Sequence, residues 1–201
     1  MPNHQQLAKD IHQANIDAGW WKLDERPMLA PGEVPQIGMD YSHYPFEEYT
    51  IPRNIGELLC LVHSEISESY EGHKQHIADD HLPKYMMAEV ELADTCIRIY
   101  DILGYYQHPI EWPTTTIYDE AVNLQYYCEL HLRVSEAMEH FRKGRTEDGC
   151  RRLVMTLYML WRLAAKWQSP LEEILEAKRE YNRNRADHKP ENRAKEGGKA
   201  F

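Results

Sequence analysis

The segment from about Lys84 to Tyr105, KYMMAEVELADTCIRIYDILGY, constrains the fold more than any other part of the chain. Wound as a helix at roughly 100° per residue, it puts Met87, Glu91, Asp94, Arg98 and Asp101 within an arc of about 80°. Nearly every other position, from Val90 and Leu92 to Ile102 and Leu103, is apolar. A helix so apolar must be enclosed by other helices, and its polar stripe then faces an internal site and not bulk water.

The rest of the chain follows the same 3.6-residue period, and no stretch combines strand alternation with turn signals. The expected fold class is all-α. Helices are predicted over about Gln5 to Ala18, Asn54 to His73, Lys84 to Tyr105, Ile117 to Lys143, Thr146 to Trp167 and Ser169 to Ala186. Asn54 with Glu57 reads as a capping box, and Ser169 with Pro170 and Glu172 as a second helix start. Pro27, Pro31, Pro35, Pro45 and Pro52 exclude a helix between the first two, so 27–53 is expected as a Pro-rich loop. We expect one domain over 1–189, with 115–168 as an inserted helical hairpin and 190–201 as a flexible tail.

Composition removes several function classes. The 33 acidic residues against 23 basic ones give a formal charge of −10. Such a balance disfavours a nucleic-acid polymer or an anionic membrane as partner and makes divalent cations plausible ligands. No apolar run reaches membrane-spanning length, and the N-terminal segment lacks a signal-peptide core. Cys60, Cys96, Cys128 and Cys150 lie far apart with no C-x-x-C, which signals neither a zinc site nor a disulfide framework. A reducing, cytoplasmic setting is expected.

Two carboxylate pairs carry the chemistry. Glu65 and Glu68 stand three apart on the second predicted helix, Glu91 and Asp94 three apart on the third, and residues so spaced share a helix face. If the two helices pack antiparallel, the four groups converge and repel unless cations compensate them. Hard oxygen donors without His or Cys favour Mg²⁺ or Mn²⁺ over Zn²⁺. A single E-x-x-E is usually a solvated face, but the apolar surroundings of both pairs point them inward. His73, His76, Asp79, Asp80 and His81 read as a solvated connector.

The stretches GWW, LLCLVHSEISESYEG and EVELADTCIRIYDILGYY, with EAKREYNRNRADHK near the C-terminus, resemble the MazG-like all-α nucleoside triphosphate pyrophosphohydrolases. The resemblance covers about half of the chain. It implies that Glu65, Glu68, Glu91 and Asp94 hold two or three Mg²⁺ or Mn²⁺ ions, and that a (deoxy)nucleoside triphosphate is cleaved to the monophosphate and pyrophosphate. It also implies a homo-oligomer, dimer or tetramer, and a role in nucleotide-pool editing. Lys178, Asn182 and Arg185 share one helix face and would clamp phosphate, although Lys178 and Arg185 alone read equally as surface partners of Glu176 and Glu180. Arg98 and Asp101 are expected as a buried ion pair. Of Trp20 and Trp21, one is expected to stack on a base, with a purine such as dGTP favoured, and at least one to be core. A pyrimidine hydrolase similar to the dimeric dUTPases, or a non-catalytic helical module that binds nucleotide or metal, remains an alternative.

Compact members of that family would reach the closing helix sooner. In the extra segment HLRVSEAMEHFRKG resembles HSEISESYEGHKQ and WQSPLEEI resembles YQHPIEWP. Aligned so, Glu65 meets Arg133, Glu68 meets Glu136, Glu91 meets Arg152 and Asp94 meets Met155. A degenerate internal duplication and a chance likeness of amphipathic helices both account for this.

Overall fold

The computed structural model describes residues 2–29, 40, 42, 45–114, 124–185 and 192. Six helices dominate: α1 His4–Asp17, α2 Ile55–Gln75, α3 Met87–Tyr105, α4 Leu124–Arg142, α5 Thr146–Trp167 and α6 Leu171–Asn184. The all-α expectation holds. Helices α2, α3, α5 and α4 form a bundle, with α1 and α6 laid against α3. Central α3 carries the deepest part of the core, where Val90, Cys96, Ile99, Tyr100 and Leu103 are fully buried beside Leu153, Leu157 and Leu160 of α5.

Two glycines set how closely helices approach α3. A Cβ on Gly72 would stand 2.6 Å from the Ala88 nitrogen, and one on Gly104 would stand 2.5 Å from the Ala8 carbonyl oxygen. Only a hydrogen fits at either place, so α2 and α1 ride directly on the α3 backbone. That closeness brings Glu65 within reach of Glu91.

Several local expectations are corrected. The Pro-rich loop is framed by a small antiparallel ribbon, β1 Leu23–Pro27 paired with β2 Phe46–Thr50, with Leu23 opposite Thr50 and Pro27 opposite Phe46. Strands of five residues, mostly exposed, leave no alternating apolar signal for the sequence to display. Asn54 does cap α2 through the Gly56 amide, but Glu57 bonds the Asn54 side chain instead of closing a capping box. Helix α3 starts at Met87, since Met86 is extended and bridges to Ala78 while Pro83 and Lys84 form a turn. Ser169 does not cap α6; its buried hydroxyl has no partner, and Pro170 occupies the cap position. The predicted start of the fourth helix at 117, the end of the last at 186 and most of the 190–201 tail lie outside the described residues. No helix among the described residues is long and apolar enough to cross a membrane.

Candidate metal centre

Three of the four carboxylates predicted to converge do so. One oxygen each from Glu65 of α2 and from Glu91 and Asp94 of α3 lie within 4.8 Å of one another. Glu65 and Glu91 are buried, and the Asp94 side chain is 15% exposed. Glu68, one turn further along α2, is exposed and outside this triad but lines the same cavity. The cavity encloses about 520 Å³ between α1, α2, α3 and α6, with Trp20, Arg53, Arg98 and Lys178 also on its wall.

Two cations answer part of this charge. Arg98 grips Glu65 with Nε and Nη2, each 2.7 Å from Oε1. Lys178 is buried, with Nζ 3.0 Å from Asp94 Oδ2 and 3.9 Å from Glu91 Oε1. Its sequence neighbours Glu176 and Glu180 pair instead with Arg179 and Arg183, so the surface role for Lys178 is excluded. Asn182 reaches Asp94 at the limit of a hydrogen bond, Nδ2 to Oδ1 at 3.5 Å. Arg185 lines the cavity with its guanidinium over the Tyr181 ring.

Four carboxylates line the cavity, and Arg98 and Lys178 answer only part of their charge. Burial pushes the Glu91 carboxyl up to about 8, Lys178 opposing and Asp94, Glu65 and Glu68 adding to the rise. Asp94 is raised by burial against the pull of Lys178, and Glu68 by burial and then by Glu65 and Asp94. Burial alone would lower Lys178, yet Asp94 and Glu91 outweigh it and hold the ammonium above its ordinary value. The donors are all hard oxygens at one focus, which suits Mg²⁺ or Mn²⁺.

The expected Arg98 to Asp101 pair is not made. Asp101 is buried and accepts from Trp21 Nε1 at 3.0 and 3.1 Å and from His12 Nδ1 at 2.7 Å. Arg98 is thereby left to Glu65. Packing decides this outcome: residues three apart share a face, but partners brought by α1 and α2 take each of them separately.

The two tryptophans separate cleanly. Trp21 is 2% exposed and stacks on Tyr105 at 4.6 Å, so it is core. Trp20 is half-buried and lines the cavity. Sequence reasoning missed Arg53, which the β-ribbon folds back until its guanidinium lies 5.5 Å from the centre of the Trp21 ring. It missed Asn15 on the cavity wall as well. The connector is not merely solvated: Asp79 is buried, accepts from the His81 and Leu82 amides and lines the cavity with His81.

Fold and site together define a class, an all-α bundle with a carboxylate triad that could hold a metal ion, on the wall of a cavity of about 520 Å³. Compared with protein-family profiles, curated proteins and solved structures, the chain matches none of them.

Proposed function

We propose that the chain is a metal-dependent nucleoside triphosphate pyrophosphohydrolase, which cleaves a (deoxy)nucleoside triphosphate between its α and β phosphates to the monophosphate and pyrophosphate. One observation carries the reading: the focus of Glu65, Glu91 and Asp94 opens into a cleft that is also lined by Lys178 of α6 and by Arg185 just beyond that helix. The likeness of these motifs to the MazG-like enzymes supports the same reaction.

Glu65, Glu91 and Asp94 would hold the cations, with Glu68 at the rim. Bound there, Mg²⁺ or Mn²⁺ would neutralise phosphate oxygens and make an attacking water more acidic. Arg98 keeps the Glu65 carboxylate in one orientation through two short contacts. Lys178, seated between Asp94 and Glu91, can turn its ammonium to a phosphate oxygen once those carboxylates have another counter-charge. Glu68, raised in basicity by burial and its acidic neighbours, is placed to accept the proton lost by the water. Trp20 offers an aromatic face at the α1 side of the cleft for the base.

Pyrophosphate release coupled to a pyrophosphatase, measured with Mg²⁺ across dATP, dCTP, dGTP, dTTP, dUTP and the four ribonucleoside triphosphates, tests the proposal. Turnover of one or more to the monophosphate is expected. Binding without turnover would favour the silent module, and a marked preference for dUTP the dUTPase-like alternative.

A further inference from the structure

Residues of the first hairpin, α2 and α3, recur in the second, α4 and α5, at constant offsets. Cys60, His63, Ser67 and Glu68 become Cys128, His131, Ser135 and Glu136, while Thr95, Gln107 and Pro109 become Thr156, Gln168 and Pro170. The backbone repeats too. Ser67 and Ser135 each donate to the carbonyl four residues back, at 2.9 Å in both cases. Thr95 does the same to Glu91 at 2.8 Å, and Thr156 to Arg152 at 3.0 Å. Gln107 and Gln168 both close their helices with positive φ, 50° and 57°. The next residues, His108 and Ser169, donate their amides to Leu103 and Ala164 at 3.1 and 2.9 Å. The same side-chain bonds and the same left-handed turn thus recur at positions that the sequence offsets match.

Equivalent residues also touch one another. His63 Nδ1 lies 2.7 Å from His131 Nδ1 with the rings stacked, and Trp161 Nε1 donates to the hydroxyl of its equivalent, Tyr100, at 3.0 Å. Contacts between equivalent residues are what a two-fold axis between the hairpins produces. Around it α2 and α4 run antiparallel, Gly56 against Met138 at one end and Ser69 against Tyr127 at the other.

The axis carries the carboxylate focus onto a definite place. There Glu65, Glu68, Glu91 and Asp94 are replaced by Arg133, Glu136, Arg152 and Met155. Arg133 lies 3.0 Å and Arg152 3.4 Å from Glu136, which is thus held between two guanidinium groups. Beside them is a cavity of about 320 Å³ bordered by Arg152 and Met155. At the four positions four negative charges have become two positive and one negative, and Arg133 also pairs with Glu129 at 3.5 Å, so the set is balanced without an added cation. The short turn 143–145 replaces the connector 76–86, so no counterpart of Asp79 is supplied.

We propose that the α4–α5 hairpin holds a latent divalent-metal site, the two-fold image of the carboxylate focus, in which Arg133 and Arg152 stand in the charge-compensating role of the cations. The proposal rests on cation binding at Glu65, Glu91 and Asp94, and the experiment separates the two. Mn²⁺ binding to the full chain is counted by electron paramagnetic resonance in the wild type, in the silenced variant Glu65→Gln/Asp94→Asn, and in that variant carrying Arg133→Glu/Arg152→Glu/Met155→Asp. The milder pair Arg152→Glu/Met155→Asp is run beside it, with circular dichroism to follow folding in Mn²⁺. Binding is expected in the wild type, lost on silencing and regained, about tenfold or more above the silenced level, in the restored chains. Wild-type binding without recovery in either restored chain overturns this inference alone. No binding in the wild type overturns the functional reading and this one together. Restored chains that stay unfolded even in Mn²⁺ also overturn it, because a true image would be rescued by the ion.

Discussion

Lys178 Nζ and Asp94 Oδ2 lie 3.0 Å apart at the junction of α6 and α3, with the lysine side chain only 4% exposed. This pair ties the last helix to the carboxylate focus and makes α6 part of the site. Replacing Lys178 by Met keeps its bulk and removes its charge, leaving Asp94 and Glu91 facing each other in a poorly hydrated place. Metal-free protein is expected to lose about 3 kcal/mol in urea unfolding, in the range for orphaning a buried charge. Saturating Mn²⁺ should shrink that loss, since the ion takes over the counter-charge. An equal loss with and without Mn²⁺ argues against cation binding at this point.

Glu65→Gln, Glu91→Gln and Asp94→Asn are each expected to lower kcat by about a hundredfold or more, because a lost oxygen ligand misplaces the ion. Glu68→Gln should do likewise if it accepts the proton. Glu136→Gln, on the arginine-paired hairpin, should leave kcat within about twofold, as expected away from the chemistry. The coupled pyrophosphate assay reads all five. Near wild-type rates in two of the first three sink the ligand assignment.

The pH dependence of stability has a definite sign. Glu91 in the folded chain is raised from 4.5 to about 8, chiefly by burial. The folded state therefore holds a proton that the unfolded state releases. Its contribution is fully present below the unfolded value of 4.5 and is lost as pH rises through about 8. In EDTA the melting temperature should fall between pH 6.5 and 8.5 more steeply for wild type than for Glu91→Gln. His4, lowered to about 4 chiefly by burial, acts in the opposite direction and mainly below its ordinary 6.5, outside that window. Parallel profiles for the two proteins contradict the assignment.

Trp20 and Trp21 should respond differently to truncation. Trp20→Ala, at the cleft wall, is expected to raise KM for the preferred nucleotide by about tenfold, the value of one base stack, with little change in melting temperature. Trp21→Phe removes the indole donor from buried Asp101 and should cost about 1 to 3 kcal/mol of stability. A purine such as dGTP is the expected best substrate, read from kcat/KM across the deoxynucleotides. A preference of about tenfold for dUTP or dCTP discards that expectation.

Helix periodicity determined most of what could be read without coordinates. The apolar excess of the 84–105 segment required a central helix with one polar stripe, and periodicity put Glu65 and the pair Glu91 with Asp94 on inward faces, while Glu68 stands exposed at the rim. Thr146 to Trp167 was legible to the residue. These are local properties, set by the rise and twist of one helix. Which charge meets which is not local. Arg98 goes to Glu65 because α2 crosses α3 at Gly72, and Asp101 goes to Trp21 and His12 because α1 crosses at Gly104. Lys178 becomes a buried counter-ion, and Trp20 and Trp21 part company, only when α6 and α1 are laid against α3. The β-ribbon that delivers Arg53 depends on backbone pairing between distant short segments, for which neither segment carries a side-chain pattern. The two-fold relation we propose for the hairpins is faintly written in repeated residues, but the contacts that argue for it, His63 with His131 and Tyr100 with Trp161, exist only once the helices are packed.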